Sequence, residues 1–116
     1  MATSNKQNIE LERGKTYEMS YIHPVAMTGG TLYFTIKAKE WDTDATDDDA
    51  LIKKTITSFV NSGLTAEWTL TDEDTYITPR DDYRYDIVFE DVDGNALPAS
   101  WYGKVKLVGR PTNRNV

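Results

Sequence analysis

The densest group of potential ligands in this sequence is acidic. Residues 40–50 hold Glu40, Asp42, Asp44, Asp47, Asp48 and Asp49. The run Asp42-x-Asp44-x-Thr46-x-Asp48 imitates the opening of a calcium loop, in which alternating oxygens converge on a hard cation. The complete loop needs Gly at its sixth position for a sharp turn and a bidentate Glu at its twelfth. This chain places Asp47 and Lys53 there. Closely spaced like charges repel, and Asp is a poor strand former, so residues 40–50 read as a solvated loop and the expectation is no metal site.

Catalytic chemistry finds equally little. The chain has no cysteine, which removes thiolate nucleophiles, disulfides and Cys-ligated zinc. His23 is the only histidine. A general base needs a nucleophile or an orienting carboxylate beside it, and the sequence nominates none. Next to Pro24, His23 reads as a surface loop residue. Asp86 and Glu90 lie on the same side of a strand, about 13 Å apart by strand rise, too far for paired-carboxylate work on a glycosidic bond. The expectation is a protein that is not an enzyme and needs no cofactor.

Aromatic residues remain as contact groups. Trp68 is in phase with Leu64 and Leu70 and reads as core. Trp101 is in phase with Val105 and Leu107, so core or interface. Trp41 borders the acidic stretch. Tyr102 points away from the core face. Trp41, Trp101 and Tyr102 are therefore the candidate partner-binding residues, because an aromatic with an apolar body and a polar tip can anchor a contact.

The elements that must position these groups are strands. The best specified spans residues 82–90, where Tyr83, Tyr85, Ile87 and Phe89 alternate with Arg84, Asp86 and Glu90. Successive strand side chains point to opposite faces, so one face is buried. Asp93-Gly94 marks a hairpin turn, since Gly accepts the positive φ such turns need. The return strand, about residues 100–108, puts Trp101, Gly103, Val105 and Leu107 on one face. Similar alternation occurs at Ile9/Leu11, at Tyr17/Met19/Tyr21, at Leu32/Phe34/Ile36, at Ile52/Ile56 and at Leu64/Ala66/Trp68/Leu70. Arg13-Gly14-Lys15, Thr28-Gly29-Gly30 and Asn61-Ser62-Gly63 punctuate them. Thr71-Asp72-Glu73-Asp74 can cap a single helical turn, and no helical period follows it.

About seven strands with turn signals every 8–12 residues predict a two-sheet antiparallel sandwich of immunoglobulin-like type. Tyr83 and Tyr85 reproduce the Tyr-x-Cys spacing of the tyrosine corner, with Tyr85 where antibody domains carry cysteine. The acid that usually stands four residues before that Tyr is replaced by Pro79. The predicted core holds Tyr17, Met19, Leu32, Phe34, Ile36, Ile56, Trp68, Leu70, Tyr85, Ile87, Phe89, Val105 and Leu107. At 116 residues one domain is expected, over residues 9–109, between tails at 1–8 and 110–116. The net charge of −6 argues against a nucleic-acid partner and against anionic lipid, both of which require Lys and Arg. Residues 1–8 are polar and contain no signal-peptide apolar segment, so no signal peptide is expected.

The order of these pieces resembles the N-terminal immunoglobulin-like domain of phage baseplate upper proteins and related small tail proteins. The likeness rests on Arg13-Gly14-Lys15-Thr16-Tyr17, residues 28–37, residues 49–56, residues 70–75, residues 83–87, Asp93-Gly94 and Tyr102-Gly103-Lys104-Val105, and covers residues 9–114. It implies a non-enzymatic virion component of a tail, baseplate or head–tail junction, assembled in the host cytoplasm. Its partners would be other virion proteins and further copies of itself. Longer members of that family continue into stalk and receptor-binding regions, so a stand-alone subunit or an attachment domain is expected here. No catalytic residue is carried over. The alternative is a carbohydrate- or cell-surface-binding sandwich module with Trp41 and the hairpin tyrosines as its platform.

Overall fold

The computed structural model describes residues 7–38, 51–97 and 101–109. Seven strands form in chain order: β1 Ile9–Glu12, β2 Tyr17–Ile22, β3 Thr31–Lys37, β4 Ile52–Ile56, β5 Thr65–Leu70, β6 Arg80–Glu90 and β7 Trp101–Val108. They make a five-stranded sheet in the order β1-β7-β6-β3-β4 and a two-stranded sheet, β2-β5. No helix occurs among the described residues. This is an immunoglobulin-like β-sandwich, with the inner faces of the two sheets packed on each other.

The alternation in β6 is the reason for its position. Tyr83, Tyr85, Ile87 and Phe89 are all buried, and the residues between them are not. The strand pairs with β3 on one side (Phe34 opposite Ile87) and with β7 on the other (Tyr85 opposite Gly103). Across the sandwich, Phe34 packs on Trp68 of β5 at 5.2 Å between ring centroids and lies 5.9 Å from Tyr85. Tyr83 forms the corner: its hydroxyl donates to the Thr78 carbonyl at 2.5 Å. The substitution of Pro79 for the usual acid does not matter to this bond, since the acceptor is backbone. One extra residue enters β6 between Arg80 and Tyr83 as a bulge. There Arg80 grips Asp82 with two nitrogens, at 2.8 and 3.0 Å.

The turns follow their residues. Gly94 has φ 84°, and its N–H donates to the Asp91 carbonyl. The Asp91 carboxylate accepts from the N–H groups of Asp93 and Asn95, so the hairpin loop is braced from within. The Thr71–Asp74 cap is reciprocal. Asp74 N–H donates to Thr71 Oγ1 at 3.2 Å, and Thr71 N–H to Asp74 Oδ2 at 2.8 Å. Fully buried Thr75 then donates to the Lys15 carbonyl at 2.7 Å and pins this turn to the crossing between β1 and β2. Lys54 pairs with Asp74 at 2.8 Å and ties β4 to the same turn.

Two expectations are corrected. The sandwich is not antiparallel throughout, because β1 lies parallel to β7, with Ile9 opposite Val105. The Arg13-Gly14-Lys15 turn follows β1. With φ 76° at Gly14 it carries the chain from one sheet to the other. Tyr17 and Met19 are only half-buried, because β2 belongs to a two-stranded sheet and has a neighbour on one side only. Met27, in a segment that reads as loop, is completely buried.

Two substitutions separate the packing from the corner. Phe34→Ala is expected to destabilise the fold by about 3–5 kcal/mol through lost transfer energy and a residual cavity. Tyr83→Phe is expected to cost about 0.5–1.5 kcal/mol, the usual net value of one hydrogen bond. Urea unfolding with an unchanged m-value would measure both. Equal effects would mean that the corner bond, not Phe34, dominates this region.

Candidate functional site

The structure describes two of the three candidate contact residues. Trp41 and the acidic stretch, with the calcium-like run, lie outside the described residues. Trp101 and Tyr102 are successive residues of β7 and face opposite sides of the sheet. Tyr102 stands on the outer face, opposite Asp86, and is exposed. Trp101 stands on the core face at the sandwich's end and remains 37% exposed. β2 ends near it, and Tyr21 covers one edge of its ring. That edge-to-face contact has ring centroids 5.5 Å apart.

Trp101 is the outer member of an aromatic cluster. Buried Tyr21 stands between Trp101 and His23, with the His23 ring 5.7 Å from it. His23 Nδ1 is 2.8 Å from the Tyr21 hydroxyl, and its ring lies 5.3 Å from that of Phe89. The expected surface-loop histidine is therefore a half-buried wedge between the two sheets. Burial holds its imidazole below the ordinary value of 6.5, since the charged form loses hydration there. Its own N–H donates to the Leu64 carbonyl at 2.8 Å, so backbone and ring are both fixed. The Tyr-x-His spacing of residues 21 and 23 on an alternating strand signals that both side chains share a face. Sequence reasoning stopped that strand's inward face at Tyr21.

The other polar groups among the described residues are dispersed. Asp86 and Glu90 stay on the outer face of β6. Glu18, Ser20, Glu67 and Thr69 line a shallow, open trough on the β2-β5 sheet, with Met19 and Trp68 completing it. Two carboxylates and two hydroxyls there have no base or electrophile facing them among these lining residues. Trp68 Nε1 and the Tyr85 hydroxyl are buried without a hydrogen-bond partner. Burial pushes the Tyr85 hydroxyl pKa upward, so it stays protonated. Among the described residues, no three His, Asp or Glu side chains gather where they could hold a metal ion. What the arrangement can do chemically is make contacts through aromatic and apolar groups.

The His23 wedge has a pH signature. A folded pKa below the unfolded value means that stability is complete above pH 6.5 and declines as pH falls from there through the folded value. For Asp74, burial raises the pKa, but the Lys54 and Thr71 hydrogen bonds outweigh it and the net shift is downward. Its contribution is lost only as pH falls below about 3.8. Melting temperature is expected to drop in the weakly acidic window, and His23→Asn is expected to flatten that segment while leaving the more acidic limb. An unchanged profile in the variant would show that His23 is not the titrating group.

No protein-family model matches the sequence, and no curated protein matches it. Among solved structures the chain is similar to the extracellular domain of the voltage-gated sodium channel beta4 subunit, described as parallel homodimers that explain a role in cell-cell adhesion. Identity is 12%, the TM-score is 0.48, and the alignment covers 95% of this chain and 97% of that one. A likeness at this level carries no argument about activity or partners.

Proposed function

We propose that this chain is a non-enzymatic structural subunit of a phage or prophage virion, in a tail, baseplate or head–tail assembly. The reading begins with the ordered resemblance across residues 9–114. The observation that carries it is where those motifs fall. Arg13-Gly14-Lys15 makes the crossing between sheets. Gly30 leads into β3 where a Cβ would collide with Phe89. Residues 70–75 form the capped turn, and Tyr83 closes the corner. Every one builds scaffold, as suits a protein whose work is to hold a position in an assembly. The partners in this reading are other virion proteins and further copies of the chain, without cofactor, nucleic acid or membrane.

Self-association would use the open parts of the sandwich. β4 and β1 are the edges of the large sheet, and the small sheet has two open edges. Lys53 and Lys54 lie on β4, and charges on an edge strand discourage pairing there. The β7 strand is not an edge, since β1 covers it, so Tyr102 would act through the sheet's outer face. The carbohydrate- or cell-surface-binding alternative is favoured by one observation, the half-exposed Trp101 ring held edge-on by Tyr21.

Peptide mass spectrometry of gradient-purified virions from the source lysate is expected to find the chain at a fixed ratio to other tail proteins. Its absence from intact particles, together with glycan-array binding abolished by Trp101→Ala, would replace the virion reading by the alternative. Light scattering over a concentration series is expected to show an oligomer that Tyr102→Glu weakens. A monomer throughout, identical for both proteins, would remove Tyr102 from the assembly contact.

A further inference from the structure

The exposed large apolar residues are gathered at one end of the sandwich. Nine occur among the described residues. Leu51 is at the opposite end, beside the start of β4, and Tyr102 is on the sheet face. The other seven surround the end where β2, β4 and β6 finish and β3, β5 and β7 begin. Ile22 and Val25 flank the β2–β3 loop, Val60 and Leu64 the β4–β5 connection, and Val92 and Leu97 lie in the β6–β7 hairpin loop, with Trp101 just beyond it. Ile22, Val25 and Val92 are 70%, 66% and 72% exposed. Single exposed apolar side chains are ordinary on any protein; this degree of segregation is not.

The loops form one surface. Met27 N–H donates to the Gly63 carbonyl at 2.7 Å, and His23 N–H to Leu64. A Cβ at Gly29 would touch Val92, which places the hairpin loop against the same segment. Between Val60 and Leu64 the backbone is left-handed at three residues in succession: Asn61 at φ 54°, Ser62 at 61° and Gly63 at 85°. Glycine adopts this region freely and asparagine tolerates it, so Ser62 is the residue held in an uncommon conformation, and such strain concentrates at contact sites. Asn61 Nδ2 donates to Thr65 Oγ1 at 3.1 Å and keeps the turn in shape.

Charge narrows the occupant. Residues 22–30 and 57–64 contain no Asp, Glu, Lys or Arg, whereas the β6–β7 hairpin brings Glu90 at the end of β6 and Asp91 and Asp93 in its loop. The described residues of this end thus form an apolar patch with an acidic border and no lysine or arginine. Two copies joined end to end would bring these acids together. Anionic lipid and nucleic acid are disfavoured by the same sign of charge.

We propose that this end is a preformed docking surface for a different protein, one that presents bulky apolar side chains bordered by Lys or Arg. The inference does not depend on the virion reading. Apolar contact supplies affinity, and the opposite charges orient the partner and raise its association rate.

The test pans a random displayed-peptide library against the full chain, with the Val25→Asp/Val92→Asp double variant as the counter-selection. Selected peptides are expected to combine Leu, Phe or Trp with flanking Lys or Arg. Their affinity, by fluorescence polarisation, is expected to fall by about tenfold or more in the double variant, and to fall with added salt and with Asp93→Lys. Hydrogen exchange on the unaltered chain is expected to show peptide protection within residues 22–30, 60–64 and 89–97, which decides the matter even if the double variant melts early. Four results would overturn the proposal: no peptide that prefers the natural chain, selected peptides without basic residues, protection confined elsewhere, or binding to phosphatidylcholine vesicles that the double variant loses. A concentration-dependent dimer abolished by the double variant would overturn it as well, by making a second copy the occupant.

Discussion

The structure depends on side-chain packing across the gap between its sheets. β2 and β5 pair only with each other, and the five remaining strands pair only among themselves. Among the described residues no shared ladder joins the layers. Phe34, flanked by Trp68 from the small sheet and Tyr85 from its own, is the centre of that contact. Fully burying one such side chain stabilises by about 1.5–3 kcal/mol, comparable to several net hydrogen bonds. The chain has no disulfide to supplement it, and the position antibody domains give to cysteine on this strand is occupied by a tyrosine ring that adds apolar area instead.

The two ends of the sandwich are held differently. At one, polar links converge on the capped turn after β5: Thr75 to the Lys15 carbonyl, Lys54 to Asp74, and Arg13 over the Tyr76 ring at 4.2 Å. Tyr83 bonds to Thr78 at that end too. At the other end, loop meets loop through backbone hydrogen bonds, and the aromatic wedge of Tyr21, His23 and Phe89 fills the space between the sheets. Residues 22–30 and 57–64 carry no Asp, Glu, Lys or Arg, and Ile22, Val25, Val60 and Leu64 among them are turned outward. One end is thus cross-linked by polar side chains and the other exposes apolar ones.

How much was legible in the sequence depended on the range of the interaction concerned. Period-two alternation located all seven strands, because the face a strand buries is written in its own residues. The hairpin loop, the Thr71–Asp74 cap and the Tyr83 corner were legible for the same reason, each being closed by residues within five positions of one another. Alternation reports which face is buried but not which strand lies alongside. It therefore could not reveal that β1 joins β7 in parallel rather than folding back on β2, nor that β2 has only one neighbour and leaves Tyr17 and Met19 half-covered.

By itself the sequence determined the strand set, the sandwich class and most of the core, since these follow from local periodicity and turn chemistry. Only the tertiary structure decided that His23 is a wedge against Phe89, that Met27 is buried from a loop, and that Ile22, Val25, Leu64 and Val92 share one end. Those residues are separated along the chain by up to about seventy positions, and nothing in the pattern of any one segment encodes its distance from another. Their proximity comes from the order in which the strands pair, and that order is set by the burial of the whole core at once.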